Sequence, residues 1–175
     1  MISESELFIK EVERLIVPAT TLKFVAKEKI VVNKRYNAEV KIAHIEQNFR
    51  RLHLGKIEEP TSEKIIYGRT LREAAPDGFI IKALGGKENL KTHFSTMFAL
   101  MEKQRNAQDT GSLLVNGFCN IFYISGASGI LLPVSLYVES RGWTFDSFDQ
   151  IDETEKWNEG CRVFSYVSPD VEVFN

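Results

Sequence analysis

The chain has little of what most small enzymes and secreted domains display. It holds two cysteines, Cys119 and Cys161, three histidines and five prolines in 175 residues. Two cysteines outside any CxxC pair exclude a disulfide framework and a zinc ribbon, and they fit a reducing compartment. The histidines, His44, His53 and His93, lie nine and forty residues apart, so no HxxxH or HExxH helix exists. The longest nearly apolar run, Gly129 to Val138, is far shorter than the ~20 residues of a membrane-spanning helix. The start, MISESELFIKEVER, is charged and lacks the apolar centre of a signal peptide. Together these absences predict a soluble, cytoplasmic chain with no membrane association. No repeat or low-complexity segment is present.

What is there is an ordinary globular composition, 43% hydrophobic and 26% charged. It predicts one domain over residues 1–175 with a core large enough to need no staples. Charge is unevenly spread. Residues 20–72 carry twelve basic and six acidic side chains, whereas 106–175 carry three basic and ten acidic. A basic middle and an acidic end can mark a polyanion site, or two differently solvated halves.

The strongest pattern is Ser112 to Phe148. Asn116-Gly117 between Leu113-Leu114-Val115 and Phe118–Ile124 is a hairpin signal. Ile130, Leu132, Val134, Leu136 and Val138 then alternate with polar positions, as a half-buried strand requires. Pro133 lacks an amide hydrogen, which predicts an edge or a bulge there. Trp143, Phe145 and Ser147 alternate with Thr144, Asp146 and Phe148, and Cys161 to Val167 reads as a last strand. The fold class predicted is α+β, with a mostly antiparallel meander over about 112–167. Strands from 21–32 and 63–71 extend it.

Two helices complete this reading. Leu90, Phe94, Met97, Leu100 and Met101 make a broad stripe over 88–104, the main helix across the sheet. At the N-terminus, Ser3 and Glu6 have capping-box spacing, and Ile2 and Leu7 that of a hydrophobic staple. This predicts a helix over 4–16, within a capping segment 1–20 that Pro18 closes. Asp77, after Pro76, is placed to cap the short apolar segment Phe79–Leu84.

No catalytic constellation, metal site or cofactor emerges. Gly85-Gly86-Lys87 lacks the spacing of a phosphate-binding loop. Asp146, Asp149 and Asp152 recur every third residue, which is not the alternate spacing of an EF-hand loop. Three functional readings follow. The first is a non-enzymatic binding or regulatory domain acting on another protein or on itself, through Trp143, Phe145 and Phe148 beside the acidic connection. The second is nucleic-acid or other polyanion binding through Arg50, Arg51, His53 and Lys56, the densest basic cluster. The third is a cysteine-dependent enzyme pairing Cys119 with His93.

Overall fold

The computed structural model describes residues 6–140 and 142–169. In chain order it begins with β1 (Phe8–Val17), β2 (Phe24–Val25), α1 (Ala26–Lys29), β3 (Ile42–Ile45) and α2 (Gln47–His53). It continues through β4 (Ile57–Glu58), β5 (Lys64–Leu71), β6 (Ala75–Pro76), α3 (Asp77–Ala83), α4 (Lys87–Leu90) and β7 (Lys91–Thr92). It ends with α5 (Phe94–Lys103), β8 (Asn120–Ser125), β9 (Leu131–Glu139), β10 (Gly142–Ser147), β11 (Lys156–Trp157) and β12 (Arg162–Ser165).

This is an α+β fold built on one large, open, mostly antiparallel sheet in the order β1-β5-β12-β8-β9-β10-β3, with β7 also paired to β8. Three pairings are parallel: β12 with β8, β10 with β3, and β7 with β8. Two short ribbons, β11-β6 and β2-β4, stand apart from it. No helix among the described residues is long and apolar enough to cross a membrane.

The sheet is covered on both faces, so β8, NIFYIS, is buried at every position. Phe122, Ile124, Val134, Leu136, Trp143, Phe145 and Phe164 join Phe94, Met97, Phe98 and Met101 of α5 in one core. On the reverse face Ile121, Tyr123, Cys161 and Val163 pack against Ile80, Ile81 and Leu84 around α3. Period-2 alternation sends neighbouring residues to opposite cores, and a strand with both faces apolar results.

Several expectations change. Residues 8–17 are a strand, not part of a helix over 4–16; the proposed Ser3 cap and Ile2 staple lie outside the described residues. FIKEVERLIV is rich in β-branched residues, and pairing along the whole of β5, with Leu15 opposite Ile66, overrides the helical spacing. The segment 88–104 divides into α4, β7 and α5. Thr92 donates its hydroxyl to the Tyr123 carbonyl at 3.1 Å, which ties β7 into the sheet, and His93 is extended ahead of α5. The strand sought in 21–32 shrinks to β2, whereas β5 fills 64–71 as expected.

The Asn116-Gly117 hairpin does not form, and residues 112–119 are irregular. Asn120 organises them instead: its Oδ1 accepts from Leu114 N at 2.8 Å, and its Nδ2 donates to the carbonyls of Leu114 and Leu136. Pro133 sits inside the sheet, opposite Tyr123. Its carbonyl accepts from Phe148 N and Ser147 Oγ, so the side lacking an amide hydrogen faces the end of β10, where a ladder bond is no longer needed. β12 leaves the meander altogether and inserts between β5 and β8.

Candidate functional site

β10 places its odd-numbered residues in the core. Trp143 and Phe145 are fully buried, with Trp143 Nε1 donating to the Gln104 carbonyl at 3.0 Å and Phe145 packed 5.0 Å from the Phe49 ring. Neither belongs to a surface. Phe148, one residue past the strand and of opposite parity, is 45% exposed.

The basic cluster also divides. Arg50 and Arg51 are exposed on α2, where Arg50 Nε donates to the Ile45 carbonyl. His53, four residues after Phe49 on the inward face, is fully buried between the rings of Phe49 and Phe94. Its Nε2 lies 2.8 Å from Ser147 Oγ. Burial, and then the charge of Lys56, brings its imidazole from the ordinary 6.5 down to about 4. Lys56 turns inward as well, donating to the Ser125 carbonyl and standing 3.8 Å from Glu58 Oε2. The four residues therefore do not converge on one surface.

Cys119 and His93 occupy opposite ends of β8. Cys119 precedes Asn120, while His93 follows Thr92, which lies opposite Ile124. At ~3.3 Å per residue they stand several residues apart along the strand and form no thiol–imidazole pair. His93 Nδ1 instead lies 3.0 Å from the Tyr166 hydroxyl, itself 2.6 Å from Thr96 Oγ1. Beside them Glu58 accepts the amides of Phe94 and Ser95 at 2.8 and 2.9 Å, which sets the start of α5. Buried carboxylates need such donors, and this one is a helix cap supplied from a remote strand.

Chemically complementary groups converge elsewhere. Asp77 is buried at the first residue of α3, yet its carboxylate does not cap that helix. Oδ1 accepts from the Tyr123 hydroxyl at 2.6 Å and from Trp157 Nε1 at 2.7 Å, and Oδ2 from Asp152 N at 2.9 Å. The indole is thereby fixed, and Phe148 packs edge-on to it with centroids 5.4 Å apart at 73°. Both rings line a concavity of about 230 Å³, together with Asp77, Asp149, Asp152, Glu155 and Lys156.

No family model, curated protein or solved structure matches this chain. The amides of Glu155 and Thr154, with the Thr154 hydroxyl, hold the Asp152 carboxyl below the usual carboxylate range, so it stays ionised at neutral pH. Tyr123 is pushed well above the usual phenol range by burial and by Asp77, so it remains a donor. Two aromatic walls and several carboxylates suit a cation. The volume falls below the ~300–1,000 Å³ of drug-sized sites, which suits a single side chain or small amine.

Of these residues only Phe148 was singled out from the sequence as a contact, and Trp157 was missed. The signal available was the rule that a buried aspartate must find donors, with tyrosine and tryptophan the apolar residues that carry them. A second, larger groove of about 590 Å³ runs between residues 18–24 and α5. Its lining includes Phe24 and Phe98, but three lysines, Lys23, Lys29 and Lys103, face one glutamate, Glu102, and Lys29 already lies over the Phe98 ring.

Proposed function

We propose that this chain is a non-enzymatic binding module that engages another protein by taking a lysine or arginine side chain between Phe148, Trp157 and the carboxylates of Asp149, Asp152 and Glu155. The observation that carries the reading is the meeting of two aromatic rings and an acidic rim in one side-chain-sized concavity. The surplus of acidic residues in 106–175 supports it, since it favours approach of a basic partner. Polyanion binding through Arg50, Arg51, His53 and Lys56 has less support, because two of the four point inward. The module belongs, on this reading, in a reducing cytoplasmic setting that keeps both thiols free.

A magnitude sets the expected strength. A cation–π contact is worth about 0.5–2 kcal/mol and an exposed ion pair about 0–1. One captured side chain thus gives a dissociation constant of about millimolar or weaker, and a real partner must add contacts around the rim. The test is an NMR titration of the full chain with Nα-acetyl-lysine methylamide, following the indole N–H of Trp157. The expected result is a saturating shift at about 20 mM salt that weakens at about 200 mM, and that Asp149→Asn with Glu155→Gln abolishes. An indole resonance unmoved by the amine, while Nα-acetyl-glutamate methylamide behaves identically, overturns the reading.

A further inference from the structure

Cys119 and Cys161, far apart in the linear sequence, are neighbours in the fold. β12 runs parallel to β8 with Arg162 opposite Asn120 and Val163 opposite Ile121. One residue earlier, that register sets Cys161 beside Cys119, and Arg162 N donates to the Cys119 carbonyl at 2.9 Å. Both thiols face the core that holds Ile121 and Val163, and both are free. Adjacent strands lie ~4.8 Å apart, inside the ~4.4–6.8 Å range of Cα separations that disulfides bridge.

The two thiols are not equivalent. Cys161 is 2% exposed, whereas Cys119 is half-buried at the start of β8. The hydrogen bond from Cys161 is the main reason that the Cys119 thiol is brought down to about 7. The Ser135 hydroxyl adds to this, while burial and the charge of Asp146 oppose it. Cys161, as donor in that bond and deeply buried, is pushed up. One thiol is thus set to react and the other to resolve, the arrangement that peroxide-sensing cysteines use.

We propose that Cys119 and Cys161 form a peroxide-reactive dithiol, in which Cys119 is the attacking thiolate and Cys161 the resolving thiol. The oxidant class is a hydroperoxide, ROOH. The Cys119 sulfur attacks one peroxide oxygen; the S–O bond forms, the O–O bond breaks, and the leaving alkoxide takes the proton released by the thiol to give ROH. The Cys161 sulfur then attacks the Cys119 sulfenic acid. The S–S bond forms, the S–O bond breaks, and the Cys161 proton leaves with the hydroxyl as water. In sum two thiols lose two electrons, and the peroxide is reduced to alcohol and water. The chemistry is independent of the cation pocket and needs no histidine.

The experiment treats the folded full chain with hydrogen peroxide and reads intact mass and peptide maps. The wild type is expected to lose two hydrogens and to yield a linked peptide pair containing Cys119 and Cys161. Cys161→Ala, which also removes the hydrogen bond that lowers the Cys119 thiol, is expected to react more slowly than the wild type and to stop at one added oxygen on Cys119, captured by dimedone. In Cys119→Ser, Cys161 should react at least about tenfold more slowly than Cys119 does in the wild type. Should either variant fail to fold, the wild type alone decides, by comparison with the same chain in urea, where the preformed pairing is gone. Linkage that is no faster in the folded chain than in urea overturns the proposal. So does a wild type that accumulates oxygen adducts without linkage, or one that does not react.

Discussion

The hydroxyl of Tyr123 stands 2.6 Å from Oδ1 of Asp77 and joins the centre of the sheet to the first residue of α3. Tyr123 is fully buried and Asp77 nearly so, so neither can exchange this bond for water. A hydrogen bond to a charged group contributes about 1.5–3 kcal/mol, and Tyr123→Phe is expected to destabilise the fold by that amount. Asp77→Ala strands the tyrosine hydroxyl, the Trp157 indole and the Asp152 amide together, and its cost is expected at about 3–5 kcal/mol. Urea unfolding of both variants measures this. A Tyr123→Phe variant as stable as the wild type would show that the sheet and α3 are held by apolar packing alone.

His53 makes stability depend on pH in one direction. Its Nε2 is satisfied by Ser147, but Nδ1 is buried without a hydrogen-bond partner among the described residues, so a second proton finds no acceptor. The folded value of about 4 lies below the unfolded 6.5. Above pH 6.5 the ring is neutral in both states and its full contribution is present; as pH falls the unfolded chain takes the proton first. Stability is therefore lost between 6.5 and about 4, up to about 3 kcal/mol at ~1.4 kcal/mol per unit. In His53→Gln this loss is absent, so the wild type's advantage is expected to shrink on acidification. Every other side chain is common to both proteins and cancels in the difference. A difference that is flat with pH would mean that the folded protein accommodates the imidazolium.

Strands whose faces differ in polarity were legible from residue order alone. β9 and β10 fall where alternation put them, β5 fills the strand read over 63–71, and the stripe Phe94, Met97, Leu100, Met101 is buried with sheet residues in one core. Elements decided by distant partners were not. Residues 8–17 carry a helical stripe together with four β-branched residues, and only pairing with β5 decides between the two. The break at Thr92 and His93 comes from a carbonyl of β8 and a carboxylate of β4, neither of which local propensity reports. The site was legible only in part for a related reason. Parity along β10 separates Trp143 and Phe145 from Phe148, but Phe148 meets the ring of Trp157 only because the eight-residue connection 148–155 brings β11 back.

Glu58 carries the clearest long-range dependence. It belongs to a two-residue strand, yet its two carboxylate oxygens receive the first amides of α5. Glu58→Ala leaves two buried amides unpaired and is expected to cost about 2–4 kcal/mol, while Glu58→Gln keeps one acceptor and should cost less. Hydrogen exchange gives the sharper readout. Amides in the first turn of α5 are expected to lose protection in Glu58→Ala at denaturant concentrations where β8 and β9 keep theirs. Uniform loss across the sheet and α5 would assign Glu58 a global role in place of a local one.

Gly68 explains how a glycine survives in the middle of a central strand. It lies opposite Phe164, whose ring stacks on Phe122 with centroids 4.8 Å apart and planes 5° from parallel. A β-carbon at Gly68 would stand 2.8 Å from Phe164 Cε1 and 3.1 Å from Arg162 Cδ, so the ring must leave its stack. Gly68→Ala is expected to cost about 1–3 kcal/mol by overpacking, against the usual gain from replacing strand glycine. Phe164→Ala alone should cost about 3–5 kcal/mol through the cavity it leaves. Because the new methyl enters the space that the missing ring vacates, the double variant is expected to be more stable than the sum of the two losses predicts, by about 1 kcal/mol or more. Strict additivity would mean that Gly68 is kept for its backbone and not for the ring that crosses it.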